Sequence, residues 1–162
     1  MTYPEALDWS IDNCTVQRAL QVVGDRWSFV VLREVFNGIR RFDDMRQRTA
    51  IPRQVLSDRL NRLVDEGILR RHPYREEGQR ARHEYRLTQK GFDLYPILVA
   101  LNTWGSDHYA DAEGSPLVFR HRDCGGEVHA ELHCAAGHEI GDLHDVVSSP
   151  GPGAHRRDAA SA

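Results

Sequence analysis

Five polar side chains fall within nine residues at helical spacing: Arg53, Gln54, Ser57, Asp58 and Asn61. On one side of a helix such groups can do hydrogen-bond chemistry on the edges of bases. Gln and Asn can pair bidentately with adenine, Arg with guanine, and Ser with either, while Asp58 can accept from cytosine or hold Arg62 one turn further on. Arg40, Arg41, Arg46, Arg59 and Arg62 stand where phosphate contacts would fix register without reading sequence. Arg82, with Gln79 and Arg80, lies where a guanidinium could enter a minor groove.

Two other sets of residues carry chemistry. Cys14 opens a helical pattern, where the positive end of a helix lowers a thiol pKa, and Arg18 adds positive charge four residues on. A free cysteine is also a common small buried hydrophobe, so a sensor thiol and a packing role both fit. Near the C-terminus, His121-x2-Cys124 and Cys134-x3-His138 offer two thiols and two imidazoles. Cys2His2 is an accepted tetrahedral zinc set, and Gly125, Gly126 and Gly137 allow the tight turns that would aim it. Histidine is frequent here in any case, and a metal-free hairpin fits the same residues.

The elements that must position these groups follow from periodicity. Leu56, Leu60 and Leu63 form an apolar stripe, with Val64 beside them, so the spacing predicts a helix over 52–66 started by Pro52 and stopped by Gly67. Strands are predicted over 68–73 and 82–87, with 74–81 as a polar, Gly-containing hairpin tip. A shorter helix over 41–48 precedes, separated by a three-residue turn. Helix, turn, helix and basic hairpin together outline a winged helix-turn-helix, a DNA-reading module. Upstream, helices are expected over 13–23 and 26–36. The second is apolar almost all round and suits a central core position. After the hairpin, Thr88 can cap a long helix over 89–110, which Pro96 should kink. Its face of Leu94, Ile97, Leu98, Leu101 and Trp104 is wide enough to call for a partner subunit.

The fold class expected is mainly α (α+β). Residues 1–12 would form an N-terminal arm, 13–112 the winged helix-turn-helix with dimerisation helices, 116–146 a small ribbon-like β-hairpin appendage, and 147–162 a disordered tail. At 162 residues with 40% hydrophobic content, the chain can bury a core. No apolar run is long enough for a membrane span, the N-terminus lacks secretory-signal character, and three widely spaced cysteines make no disulfide framework, so a cytoplasmic protein is expected. The formal net charge is −3, yet residues 40–82 carry twelve arginines against seven carboxylates, a local +5 that leaves −8 for the rest. The local basic face matters more for phosphate contact than the total does.

The chain resembles the HxlR-type winged-helix transcriptional regulators. The matching residues are Cys14 with Ala19-Leu20, the turn Gly24-Asp25-Arg26-Trp27, and Arg41-Phe42-Asp43-Asp44-Met45. They continue through Ile51, Leu56, Arg59-Leu60, Leu63, Glu66-Gly67-Ile68-Leu69-Arg70, Glu84-Tyr85-Arg86-Leu87-Thr88, Gly91 and Trp104. The resemblance spans about Cys14–His108. It implies a homodimeric DNA-binding regulator, two-fold symmetric through its N- and C-terminal helices, of a kind that often answers to small molecules, oxidants or electrophiles. A cysteine at the place of Cys14 serves as a redox sensor in some relatives. Some carry a zinc-ribbon-like tail, with a cysteine where Gly137 stands here. The wing 75–81 lacks the proline often found in this family.

No nucleophile elbow, phosphate loop or HExxH motif occurs, so no enzymatic activity is expected. The competing expectation is a ligand- or metal-binding module without specific DNA reading. Double-stranded DNA with an inverted-repeat operator, a second copy of the chain and a small-molecule effector are the expected partners; no membrane is. No cofactor is required, and zinc is the one candidate.

Overall fold

The computed structural model of the chain describes residues 8–75, 78 and 81–157. It divides into two compact units, one over 22–130 and one from 1–21 with 131–162. In chain order the elements are α1 (Thr15–Val23), α2 (Arg26–Phe36), α3 (Phe42–Thr49), α4 (Arg53–Asp65), β1 (Leu69–Tyr74), β2 (Arg82–Leu87), α5 (Gln89–Phe92), α6 (Tyr95–Tyr109) and a 3-10 turn at Leu143–Asp145. This is the mainly helical winged helix-turn-helix expected.

The larger unit is built on α2. Val31, Leu32 and Val35 from that helix are buried with Met45 of α3, Ile51 of the turn, Leu56, Leu60 and Leu63 of α4, and Ile68 and Leu69 entering the hairpin. Asp25 starts α2, its Oδ1 accepting from the N–H groups of Trp27 (3.0 Å) and Ser28 (3.1 Å), which satisfies two donors the helix start leaves unpaired. The turn between α3 and α4 passes through Ala50 at φ +54°, a left-handed conformation unusual outside glycine. Pro52 stands one place earlier than expected, as the N-cap of α4 rather than its first residue, and Glu66 closes the helix. Gly67 then takes φ +68°. Its N–H donates to Val64 O (2.9 Å) and that of Ile68 to Leu63 O (2.9 Å), a Schellman stop that turns the chain into β1.

β1 and β2 pair antiparallel, Leu69 opposite Leu87 through Tyr74 opposite Arg82. A third piece joins them: Tyr85 N donates to Arg40 O at 2.8 Å, and Arg41 bridges Glu84. The residues that pair with the wing are thus Arg40 and Arg41. Thr88 does cap the next helix, its Oγ1 accepting from Gly91 N at 3.2 Å. Gly91 packs so closely beneath the hairpin that a Cβ there would sit 2.4 Å from Ile68 O, so the position excludes any other residue without backbone movement.

The single long helix expected over 89–110 is instead two, α5 and α6. Pro96 has no N–H to continue the first helix and its ring would clash with the carbonyl four residues back, so α6 restarts with Pro96 in its first turn. Leu98 and Val99 of α6 bury against Phe119, with Phe29, Phe36, Leu117 and Val128 around them. Tyr95 bridges Phe36 and Phe119 edge-on, at 4.8 and 5.5 Å between ring centroids.

The smaller unit holds the described N-terminal residues and the end of the chain. Ser10 N donates to His155 O (3.0 Å), Arg157 N to Asp8 O (2.8 Å) and Asn13 Nδ2 to Gly153 O (2.7 Å). The residues read from composition as a tail without structure therefore pair, through 157, with the N-terminal arm. Asn13 is drawn into that pairing, and α1 starts after Cys14, whose carbonyl accepts from Arg18 N.

Candidate nucleic-acid interface

The core stripe of α4 leaves its opposite side to solvent. Gln54, Asp58 and Asn61 lie within about 60° of one another on that side, given 3.6 residues per turn. All three are exposed, and Ser57 beside them is half-buried. The ridge is internally hydrogen-bonded. Gln54 Nε2 donates to Asp58 Oδ1 at 2.8 Å, so Asp58 holds Gln54 one turn before it. Arg71 of β1 reaches across to Asn61, Nη2 donating to Oδ1 at 2.7 Å. No local pattern announces Arg71, because its partner lies ten residues away on another element.

Arginines frame this ridge. The guanidinium of Arg53 lies 5.4 Å from the ring centre of Phe42, and that of Arg41 lies 4.5 Å above Tyr74. Both stackings hold the side chains over aromatic faces at the start of α4 and the base of the wing. Arg40, Arg46 and Arg62 are exposed. Arg82 Nη1 approaches Asp43 Oδ2 at 3.5 Å, tying the wing to the first turn of α3. Gln79 and Arg80 lie outside the described residues. Glu84, between Arg40 and Arg86 on the wing, is held below the usual carboxylate range, first by the Arg86 Nε–H it accepts (2.5 Å) and also by the charges of Arg86 and Arg40.

Arg59 belongs elsewhere. Expected among the phosphate contacts, it turns inward and donates to Asp25 Oδ2 at 3.1 Å. Asp25 thereby caps α2 and anchors α4 at once. Burial pushes its carboxyl up, but the Ser28 hydroxyl, the Trp27 N–H, the Arg59 charge and the Ser28 N–H outweigh that and hold it below its ordinary range. A buried carboxylate ties α2 to α3. Glu34 is 0% exposed; its Oε1 accepts from Arg33 Nε (2.9 Å) and Nη2 (2.6 Å). Arg48 of α3 brings its Nε to 2.6 Å from Oε2, an ion pair without hydrogen-bond alignment. Sequence reading places Glu34 on an apolar helix and gives no sign that it is buried.

The remaining candidate groups stand on other segments of the chain. Cys14 is half-buried and lines a shallow apolar groove with Ile11, Val16 and Leu20. The two C-terminal His/Cys pairs each form at a turn. His121 Nδ1 lies 3.3 Å from Cys124 Sγ, where Gly125 N closes the turn on His121 O. Cys134 Sγ lies 3.5 Å from His138 Nδ1, and the N–H groups of His138, Ala136 and Gly137 around the sulfur hold its thiol below the usual range. Each pair is a thiol and an imidazole, donor types that zinc accepts. Among the described residues no group of three or more His, Cys, Asp and Glu is arranged to hold a metal ion.

Known proteins match this architecture. A family model of the HxlR-like helix-turn-helix covers residues 22–113. An uncharacterized HTH-type transcriptional regulator of Mycobacterium tuberculosis is 42% identical over 148 residues, 91% of this chain and 92% of its own length. Among solved structures, PA1607, described as a candidate transcription factor, has a TM-score of 0.74 at 33% identity and covers 85% of this chain and 95% of its own. The redox regulator HypR in its reduced form has a TM-score of 0.51 at 28% identity, covering 57% of this chain and 90% of its own. An exposed polar ridge on the second helix of a helix-turn-helix, a basic wing beside it and these matches lead to one assignment: the chain belongs to the HxlR-like helix-turn-helix family and is a DNA-binding transcriptional regulator.

Proposed function

We propose that the chain works as a homodimer that lays α4 in the major groove of an inverted-repeat operator and releases or tightens its hold in response to a small molecule, oxidant or electrophile. The observation that carries the reading is the ridge of Gln54, Asp58 and Asn61, exposed opposite the buried side of α4 and framed by arginines. A recognition helix reads bases with such a face, and guanidinium groups at its flanks suit phosphates. The dimer is supported by apolar side chains left to solvent. On α6, Ile97, Leu101 and Trp104 are each about half exposed, and on α1 Val16 and Leu20 more so. Selection from a random duplex pool should return an inverted repeat with half-sites about one DNA turn, or a multiple, apart. Sedimentation should find two chains per duplex. A single half-site bound by one chain would contradict the dimer.

The effector part of the proposal rests on Cys14 in its apolar groove, and on the likeness to a protein named a redox regulator. Two Cys14 thiols, one from each chain, would form a disulfide while two electrons and two protons pass to the oxidant. Oxidant should then change the DNA affinity of the wild-type protein, thiol reductant should restore it, and Cys14→Ser should bind DNA normally and ignore both. A wild-type protein indifferent to oxidant would end this part.

A further inference from the structure

The two amides on the α4 ridge are preset in opposite ways. Arg71 Nη2 donates to Asn61 Oδ1 at 2.7 Å. A guanidinium has donors and no acceptor, so chemistry fixes which end of the Asn61 amide faces it. The oxygen is turned to Arg71 and the Nδ2–H donors are turned away from it. Seven residues upstream, Gln54 Nε2 donates to Asp58 Oδ1 at 2.8 Å. A carboxylate only accepts, so this amide is fixed as well, leaving Gln54 one N–H beside its Oε1.

These settings suit different bases. Gln54 keeps an acceptor and a donor side by side, the complement of adenine N6–H and N7. At Asn61 the acceptor is taken by a cation. An adenine N6–H approaching the remaining lone pair would meet the positive charge of Arg71. What Asn61 and Arg71 present together is N–H groups and one lone pair beside a guanidinium charge, and the base edge that offers two acceptors and no donor is guanine, through O6 and N7. We propose that Asn61 and Arg71 act as one composite donor reader, helix and wing together, that selects guanine over adenine at its base pair. The inference rests on α4 being the recognition helix, and departs from the adenine pairing that an isolated asparagine suggests.

The test compares binding-site preferences of wild type, Asn61→Ala, Asn61→Asp and Arg71→Ala, followed by affinities for duplexes carrying guanine, 7-deazaguanine or adenine at the pair that responds. The wild type should prefer guanine at one pair in each half-site, and 7-deazaguanine, which lacks the N7 acceptor, should weaken binding there by roughly ten-fold. Arg71→Ala frees the Asn61 oxygen, so preference at that pair alone should move toward adenine. Asn61→Asp keeps a partner for Arg71 but has no amide N–H, and should lose the guanine preference without gaining adenine. Asn61 and Arg71 are both exposed, and far-ultraviolet dichroism checks that each variant is folded. An adenine preference in the wild type that Asn61→Ala abolishes would overturn the proposal. So would an Arg71→Ala protein weakened equally on every sequence, the mark of a phosphate contact. If the wild type selects sequences but no pair responds to either residue, the proposal alone fails. If it selects no sequence, the placement of α4 fails with it.

Discussion

Arg33→Ala/Arg48→Ala is expected to destabilise the protein by about 3–5 kcal/mol, because it strands a buried carboxylate without a cation. Glu34 is 0% exposed, whereas the side chains of Arg33 and Arg48 are 39% and 57% exposed. The asymmetry sets the sign of the companion variant. With the arginines gone, neither cation is left beside the carboxylate. With Glu34→Leu, both guanidinium groups can turn to solvent and an apolar side chain of similar volume fills the site, so the change should be near neutral or stabilising. Urea unfolding at fixed protein concentration measures both, as a shift of midpoint at unchanged slope. A double variant costing less than about 1 kcal/mol would mean that the carboxylate is not held by these two groups. The pair also bears on the reading head: it ties α3 to the central helix.

Most of the fold follows from patterns that act over one or two turns of chain. The stripe of Leu56, Leu60 and Leu63 locates α4, Gly67 ends it, and Thr88 caps α5, because each of these effects is local. What the residues could not announce depends on partners far away in sequence. Asp25 meets Arg59 thirty-four residues on, Glu34 meets Arg48, and Asn61 meets Arg71. Each of these pairs places a group where its local sequence does not: Arg59 turns into the fold, an apolar helix carries a buried acid, and Asn61 has its amide oxygen on a guanidinium. Pro96 is visible as an interruption, but the apolar periodicity continues across it, so the pattern alone does not separate a kink from a break. The pairing of residues 155–157 with 8–10 is a backbone ladder, to which composition is blind.

The central claim is that α4 and the wing form a DNA-reading face whose arginines meet phosphates. A dimer making three to five phosphate contacts per chain would release counterions in proportion, and its affinity should fall by about 10³–10⁵ between roughly 50 and 200 mM salt. Arg40, Arg41, Arg46, Arg62 and Arg82 are the groups expected to set that slope. Arg41→Ala should weaken binding to all sequences and lower the slope by about one for each chain in contact. Gln54→Ala should leave the slope in place and relax preference at one base pair by about 1–3 kcal/mol. The most direct test is therefore the dependence of duplex-DNA affinity on salt for wild type, Arg41→Ala and Gln54→Ala. A steep slope that Arg41→Ala reduces, with preference that Gln54→Ala relaxes, is the predicted result. A slope near zero, or a Gln54→Ala protein unchanged in both affinity and preference, would contradict it.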